Sequence, residues 1–119
     1  MRDRIRKHTI SMKHAVDGLL WAYKTQPNYR VHLIVAVIVI LAGVFFNVNT
    51  VEWAILITTI SMGLVIETIN TAIESTSDAI TREWKEEIKI AKDVSAAAML
   101  TFAAGAIVVA LIIFLPKML

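Results

Sequence analysis

Three long apolar stretches, separated by polar segments, dominate the pattern of this chain. Residues 31–50 and 94–115 carry no charged side chain, and residues 51–66 carry one, Glu52. A helix of about 20 apolar residues crosses the hydrocarbon core of a bilayer, which is roughly 30 Å thick. The pattern therefore predicts an all-α membrane protein with transmembrane helices at 31–50, at 51–78 with a polar extension, and at 94–115.

The polar segments predict the remaining elements. Residues 1–27 mix basic and apolar side chains in patches of helical period, which predicts an amphipathic helix lying on the membrane surface. A frayed basic tail that only sets topology is the alternative. Pro27 is expected to stop or bend this helix, because proline lacks an N–H and disfavours helix in the residue before it. Residues 79–93 are too polar for lipid and predict a cytoplasmic loop, with a helical tendency that continues the second span.

Composition agrees with a membrane domain and excludes several other classes. The chain has 119 residues, 57% of them hydrophobic, and a mean hydropathy of +0.67. A soluble domain of that size would be far more polar, so a single membrane domain spanning residues 1–119 is predicted. Cysteine is absent, which excludes disulfides and thiolate metal sites. The bases are not interleaved with aromatics, and nucleic-acid binding receives little support.

Lysine and arginine are distributed unevenly around the predicted spans. Seven precede the first span, none separates the first and second, four separate the second and third, and one follows the third. The positive-inside rule then places the N-terminus and the acidic loop in the cytoplasm and the C-terminus outside. With so few spans, a polar site must be assembled from helix ends and neighbouring subunits, so a homo-oligomer is expected.

A row of polar residues begins inside the second span. Glu67, Asn70, Glu74 and Asp78 are spaced i, i+3, i+7 and i+11, so they project from one side of a helix. If Trp53 marks one interface, Glu67 lies roughly 21 Å along the helix, inside the far margin of the core. A carboxylate at that depth indicates a functional site, although a helix-end acid paired with a lysine is the alternative.

Two carboxylates on one helical face, one near lipid and one near water, suit divided roles. One can act as a base, and the other can bind a hard cation such as Mg²⁺, which needs few protein ligands when substrate phosphates complete its shell. Lys92 and Asp93 at the entry of the third span could meet phosphate or a nucleotide hydroxyl, although Lys92 alone is more typical of a positive-inside lysine. His32 is more typical of an interfacial packing residue than of a ligand.

These residues resemble the small prokaryotic diacylglycerol kinases, a family that includes undecaprenol kinases. The resemblance covers most of the chain and rests on ETINTAIE at 67–74 followed by Asp78, on AKD at 91–93, and on NYRVH at 28–32. It implies a homotrimer of three-span subunits in the bacterial inner membrane, which transfers the γ-phosphate of ATP to a lipid alcohol with Mg²⁺ at sites near the cytoplasmic face.

The resemblance also implies roles for individual residues on the acidic helix. Glu67 matches the general base that takes the proton of the lipid hydroxyl, and Asn70 is expected to support Glu67 by hydrogen bonding. Glu74 matches the metal ligand. Gln26 stands where the family often has a second metal-binding glutamate. An amide oxygen still binds Mg²⁺ but contributes no charge, so metal affinity or activity is expected to be weaker.

The remaining implied site residues belong to the nucleotide. Three residues match positions that contact ATP: Lys92, Asp93 and the loop residue Glu83. Asp78 is expected to belong to the same ATP-binding site.

Two other hypotheses stay open. A small oligomeric transporter or channel would use Glu67 as its coupling or selectivity carboxylate, although the acids gather at one face instead of lining a path across the membrane. A homologue that binds lipid with weakened catalysis is suggested by Gln26. Diacylglycerol and undecaprenol both remain candidate acceptors, and NYRVH leans towards the undecaprenol branch by resemblance.

Overall fold

The protein is a bundle of α-helices in which three are candidate membrane spans. The computed structural model describes the backbone of residues 2–119 and the side chains of residues 10–119. Its elements are α1 (Arg2–Thr25), α2 (Pro27–Phe45), α3 (Thr50–Ile80) and α4 (Glu86–Met118). Helices α2, α3 and α4 are long and apolar enough to cross a membrane. This confirms the prediction of an all-α protein with three spans, while the surface location of α1 stays a prediction.

Pro27 separates α1 from α2. Gln26 adopts an extended conformation between the two helices (φ −102°, ψ 109°), and Pro27 is the first residue of α2. A proline is well tolerated at that position because the N–H it lacks would have no partner in the helix. The first span therefore begins four residues earlier than the predicted 31 and ends at Phe45 instead of 50.

A four-residue turn connects α2 to α3. Asn47 has a positive φ of 49°, a conformation that asparagine adopts more readily than most residues. Asn49 caps α3 by accepting hydrogen bonds from the backbone N–H groups of Val51 and Glu52. The Glu52 carboxylate accepts the Asn49 N–H in return at 2.7 Å. This reciprocal capping fixes where the second span starts.

Helix α3 is the central element, since it packs against α1, α2 and α4. Two glycines allow close approach. A Cβ atom on Gly43 of α2 would lie 2.7 Å from the Trp53 ring, and one on Gly63 of α3 would lie 2.7 Å from the Phe102 ring. Near the 46–49 turn, Val48, Leu56 and Ile113 form a small apolar core. Most other apolar side chains of the spans face outward, as expected for helices in lipid.

The polar segment at 79–93, predicted as a cytoplasmic loop with a helical tendency that continues the second span, is mostly helical. Helix α3 ends at Ile80, Thr81 is extended, and α4 already begins at Glu86. Acidic residues at 86 and 87 stabilise the start of α4, because they lie next to the positive end of the helix dipole. Residues 86–93 therefore extend the third span, not the second, and the connection shortens to residues 81–85.

Candidate active site

Burial decreases along the polar row on α3. Glu67 is only 3% exposed and Asn70 is 6% exposed, whereas Glu74 is half-buried and Asp78 is exposed. The row runs from the apolar part of α3 to its polar end, where the 81–85 connection begins. It thus offers carboxylates in two environments, one shielded by the protein and one open to water.

His32 of α2 is the basic group next to Glu67. Its Nε2 atom lies 3.8 Å from Oε2 of Glu67, and its side chain is 26% exposed. Sequence reasoning treated His32 as a packing residue and missed this pairing. The available signal was the position of the histidine at the start of the first span, close to the depth expected for Glu67.

Asn70 contacts a different carboxylate from the one predicted. Its Nδ2 donates to Oε1 of Glu74 at 3.3 Å, and its Oδ1 accepts from the Ser95 hydroxyl at 2.6 Å. The expectation that Asn70 hydrogen-bonds to Glu67 is therefore wrong. One helical turn separates Asn70 from both acids, and its amide reaches towards Glu74 because the i, i+4 spacing brings those side chains together.

Ser95 joins α4 to the polar row on α3. It is buried, and its hydroxyl lies 2.9 Å from the Lys92 carbonyl oxygen in addition to its contact with Asn70. A hydroxyl has one proton to donate, so the two acceptors share it. Sequence reasoning did not single out Ser95, although a serine one turn after Lys92, at the start of an uncharged helix, was a usable signal.

The two charged residues at the entry of the third span have different partners. Lys92 forms an ion pair with Asp78 across the α3–α4 interface. Asp93 pairs with Lys89 on α4 itself, where both side chains are largely exposed. The Lys92 side chain therefore lies next to the acidic end of α3, whereas the Asp93 side chain lies on the surface of α4.

A cleft of about 420 Å³ opens at the polar end of α3. Its walls come from α1, the α1–α2 link, α3 and the connection that follows. The lining residues are Trp21, Gln26, Thr71, Glu74, Ser75, Asp78, Ala79 and Arg82. The cleft brings together Gln26, Glu74 and Asp78, which are distant in sequence or separated by a full helical turn. Glu83 and Asp93 are not among its lining residues.

The donors in this cleft suit a hard cation. Gln26 uses its Nε2 to donate to Thr25 Oγ1 at 3.2 Å, so its carbonyl oxygen is the atom that could bind a cation. Within residues 10–119, no three acidic or histidine side chains are close enough to hold a metal by themselves. One or two carboxylates with an amide oxygen match the few protein ligands that Mg²⁺ takes when phosphates complete its shell.

Comparison with known proteins identifies the family. Residues 13–114 match the family described as prokaryotic diacylglycerol kinase. The chain belongs to this family.

Two curated relatives of this diacylglycerol kinase family member show how far the similarity extends. An undecaprenol kinase from Bacillus subtilis is 33% identical over 117 residues, which cover 98% of this chain and 95% of the relative. A diacylglycerol kinase from Synechocystis is 34% identical over 111 residues, which cover 92% of this chain and 63% of the relative. Together they show that the chain is a kinase of the diacylglycerol and undecaprenol kinase type, and its three long apolar helices indicate an integral membrane protein.

Proposed function

We propose that this kinase transfers the γ-phosphate of ATP to the hydroxyl of a membrane lipid alcohol in a Mg²⁺-dependent reaction. The observation that carries the proposal is the cleft that unites Gln26, Glu74 and Asp78 at the polar end of α3. Glu67 lies seven residues deeper on the same helix, roughly 10 Å along its axis. ATP and the lipid alcohol could therefore bind next to each other along α3, ATP at its water-exposed end and the lipid hydroxyl at its buried end.

The cleft is the proposed donor site. Glu74 and the Gln26 amide oxygen would hold Mg²⁺, which when bound neutralises charge on the phosphate oxygens. Asn70 holds the Glu74 carboxylate in place through its 3.3 Å hydrogen bond. Lys92, now paired with Asp78, would exchange part of that interaction for a phosphate. Direct contacts of Asp78, Asp93 and Glu83 with the nucleotide are proposed from the family resemblance.

The buried end of the row is the proposed acceptor site. Glu67 takes the proton of the lipid hydroxyl as the hydroxyl oxygen forms its bond to the γ-phosphorus. The bond from that phosphorus to the bridging oxygen breaks, and ADP leaves. The protein contributes chiefly positioning and electrostatic stabilisation.

Topology and assembly complete the proposal. The basic residues before α2 and between α3 and α4 support a cytoplasmic cleft in the bacterial inner membrane, with the C-terminus outward. The outward-facing apolar side chains of the spans are compatible with a homotrimer. The Bacillus subtilis undecaprenol kinase matches this chain nearly end to end, which favours undecaprenol over diacylglycerol as the acceptor.

The test is phosphate transfer by purified protein in mixed micelles, with γ-labelled ATP and with diacylglycerol and undecaprenol supplied side by side. Glu67→Gln should lower kcat by about 100-fold or more, the range contributed by a general base. Glu52→Gln is the matched control, because Glu52 is a carboxylate at the opposite end of the same helix, and its variant should retain turnover. Full turnover in Glu67→Gln would exclude the assignment of Glu67 as the base. Ion flux without ATP consumption would instead support a transporter.

A further inference from the structure

The proposed base needs a route by which its proton can leave. Glu67 is 3% exposed, so a proton taken from a lipid hydroxyl has little direct access to water. His32 lies 3.8 Å away on α2 and is 26% exposed. The histidine therefore contacts the buried carboxylate and is itself less buried than that carboxylate.

Other charged groups around Glu67 are engaged elsewhere or are acidic. On α3 itself, the Glu74 carboxylate shares the polar face with Glu67 and is hydrogen-bonded to Asn70. From α4, Lys92 and Asp93 pair with Asp78 and Lys89.

Two titratable residues, one on α1 and one on α2, belong to a different cavity. Tyr23 and Arg30 line a separate, mainly apolar cavity of about 400 Å³ between α1 and α2. Among the residues that the structure describes with side chains, His32 is thus the basic group paired with Glu67.

We propose that His32 relays the proton from Glu67 to water after each phosphoryl transfer. The inference rests on the proposed role of Glu67 as the base. In the first step the lipid O–H bond breaks and its proton binds Oε2 of Glu67. In the second step the proton passes to Nε2 of a neutral His32, which becomes an imidazolium next to a carboxylate. In the third step a ring N–H of His32 gives its proton to water, and both groups return to their starting states.

The geometry allows this relay with a small adjustment. A separation of 3.8 Å is within ion-pair range but longer than a hydrogen bond. Catalytic contacts are often long before substrate binds, and a shift of the imidazole or one bridging water closes the gap. His32 acts through Glu67 and not on the substrate, so it is a positioning residue with a proton-transfer role.

The experiment compares His32→Ala, His32→Gln and His14→Ala in the same mixed-micelle assay. Imidazole is added to the buffer in half of the reactions. We expect His32→Ala to lower kcat by about tenfold, less than the roughly 100-fold or more of a direct acid–base catalyst because Glu67 still takes the proton from the lipid. The KM values for ATP and lipid should change less than about twofold. Added imidazole should restore most of the lost kcat, because a free base can occupy the space and accept the proton. His14→Ala removes an exposed histidine of α1 and should match the unaltered protein.

His32→Gln separates proton transfer from packing. Glutamine keeps the bulk and a hydrogen bond but cannot accept the proton, so its kcat should fall as far as that of His32→Ala. Normal kcat in either variant, or a loss that imidazole does not restore, would overturn the relay. Glu67→Gln is run in parallel and should not respond to imidazole. If Glu67→Gln keeps full turnover, the proposed base is wrong; if it is inactive while His32→Ala is normal, only the relay is wrong.

Discussion

Asn70 uses both ends of its amide, and this sets the geometry of the proposed metal ligand. The amide nitrogen holds Glu74, and the amide oxygen accepts the Ser95 hydroxyl from the neighbouring helix. The carboxylate orientation on α3 therefore depends on the position of α4. Because Ser95 also lies next to the Lys92 carbonyl, one buried hydroxyl connects Asn70 with the backbone of α4 at Lys92.

Gln26 lines the same cleft as Glu74 and offers an oxygen without a charge. Gln26→Glu should lower the Mg²⁺ concentration needed for half-maximal activity by about 5- to 150-fold, which corresponds to the roughly 1–3 kcal/mol expected of one added charge-assisted contact. Gln26→Ala should raise that concentration. The measurement is kinase activity titrated with Mg²⁺ at fixed ATP.

Asn28→Asp controls for the added charge, because Asn28 is exposed on the first turn of α2 and is not part of the cleft lining. An equal shift in the Asn28→Asp and Gln26→Glu variants would show that general charge, and not ligation by residue 26, controls the metal requirement.

Sequence periodicity predicted some site contacts and not others. Glu67, Asn70, Glu74 and Asp78 share one side of α3 because a single helix fixes their relative directions. Contacts between helices depend on how each helix is rotated and tilted in the bundle. The spacing of residues within one helix does not determine that orientation. The pairing of His32 with Glu67 and that of Ser95 with Asn70 were therefore missed, and the partner of Asn70 was assigned to the wrong acid.

At the scale of helices, α3 and α4 pack closely where Gly63 faces Phe102. A Cβ atom at Gly63 would lie 2.7 Å from Cε1 and 3.0 Å from Cζ of that ring. Gly63→Ala should therefore destabilise the protein by about 1–3 kcal/mol, the usual cost of overpacking. The measurement is the midpoint of thermal unfolding in detergent micelles.

Gly105 supplies the matched control on α4. In the described part of the chain, no atom lies within 4 Å of a Cβ built there, so Gly105→Ala should leave the midpoint nearly unchanged. Adding Phe102→Leu to Gly63→Ala should recover part of the loss, because the smaller side chain makes room for the methyl group. Equal midpoints for Gly63→Ala and Gly105→Ala would contradict this account of the interface.

The predicted helix boundaries agree with the structure where a single local residue determines them. Pro27 ends α1 and opens α2, as the missing N–H requires. The 86–93 segment was predicted as a loop because its charges exclude it from lipid. A helix can, however, extend beyond the membrane when acids lie in its first turn and an i, i+4 pair such as Lys89 with Asp93 lies on its surface.

At the scale of the whole molecule, the proposed orientation is open to a direct test. The chain has no cysteine, so each introduced thiol is unique. Trp84→Cys lies in the exposed 81–85 connection, and Leu119→Cys lies at the exposed C-terminus. In intact spheroplasts, a membrane-impermeant maleimide should label Leu119→Cys at once and Trp84→Cys only after permeabilisation. The reverse pattern would invert the topology and separate the cleft from cytoplasmic ATP.

Helices α3 and α4 are fastened to each other near both ends. Lys92 pairs with Asp78 and Ser95 with Asn70 at the cleft end, while Lys117 pairs with Glu52 at 3.1 Å at the other. Sliding one of these helices along the other would break contacts at two distant places, so the two helices are expected to move as one rigid unit. Any change in the width of the cleft is therefore expected to come from α1, which contributes Trp21 to the cleft and is joined to α2 through the extended residue Gln26.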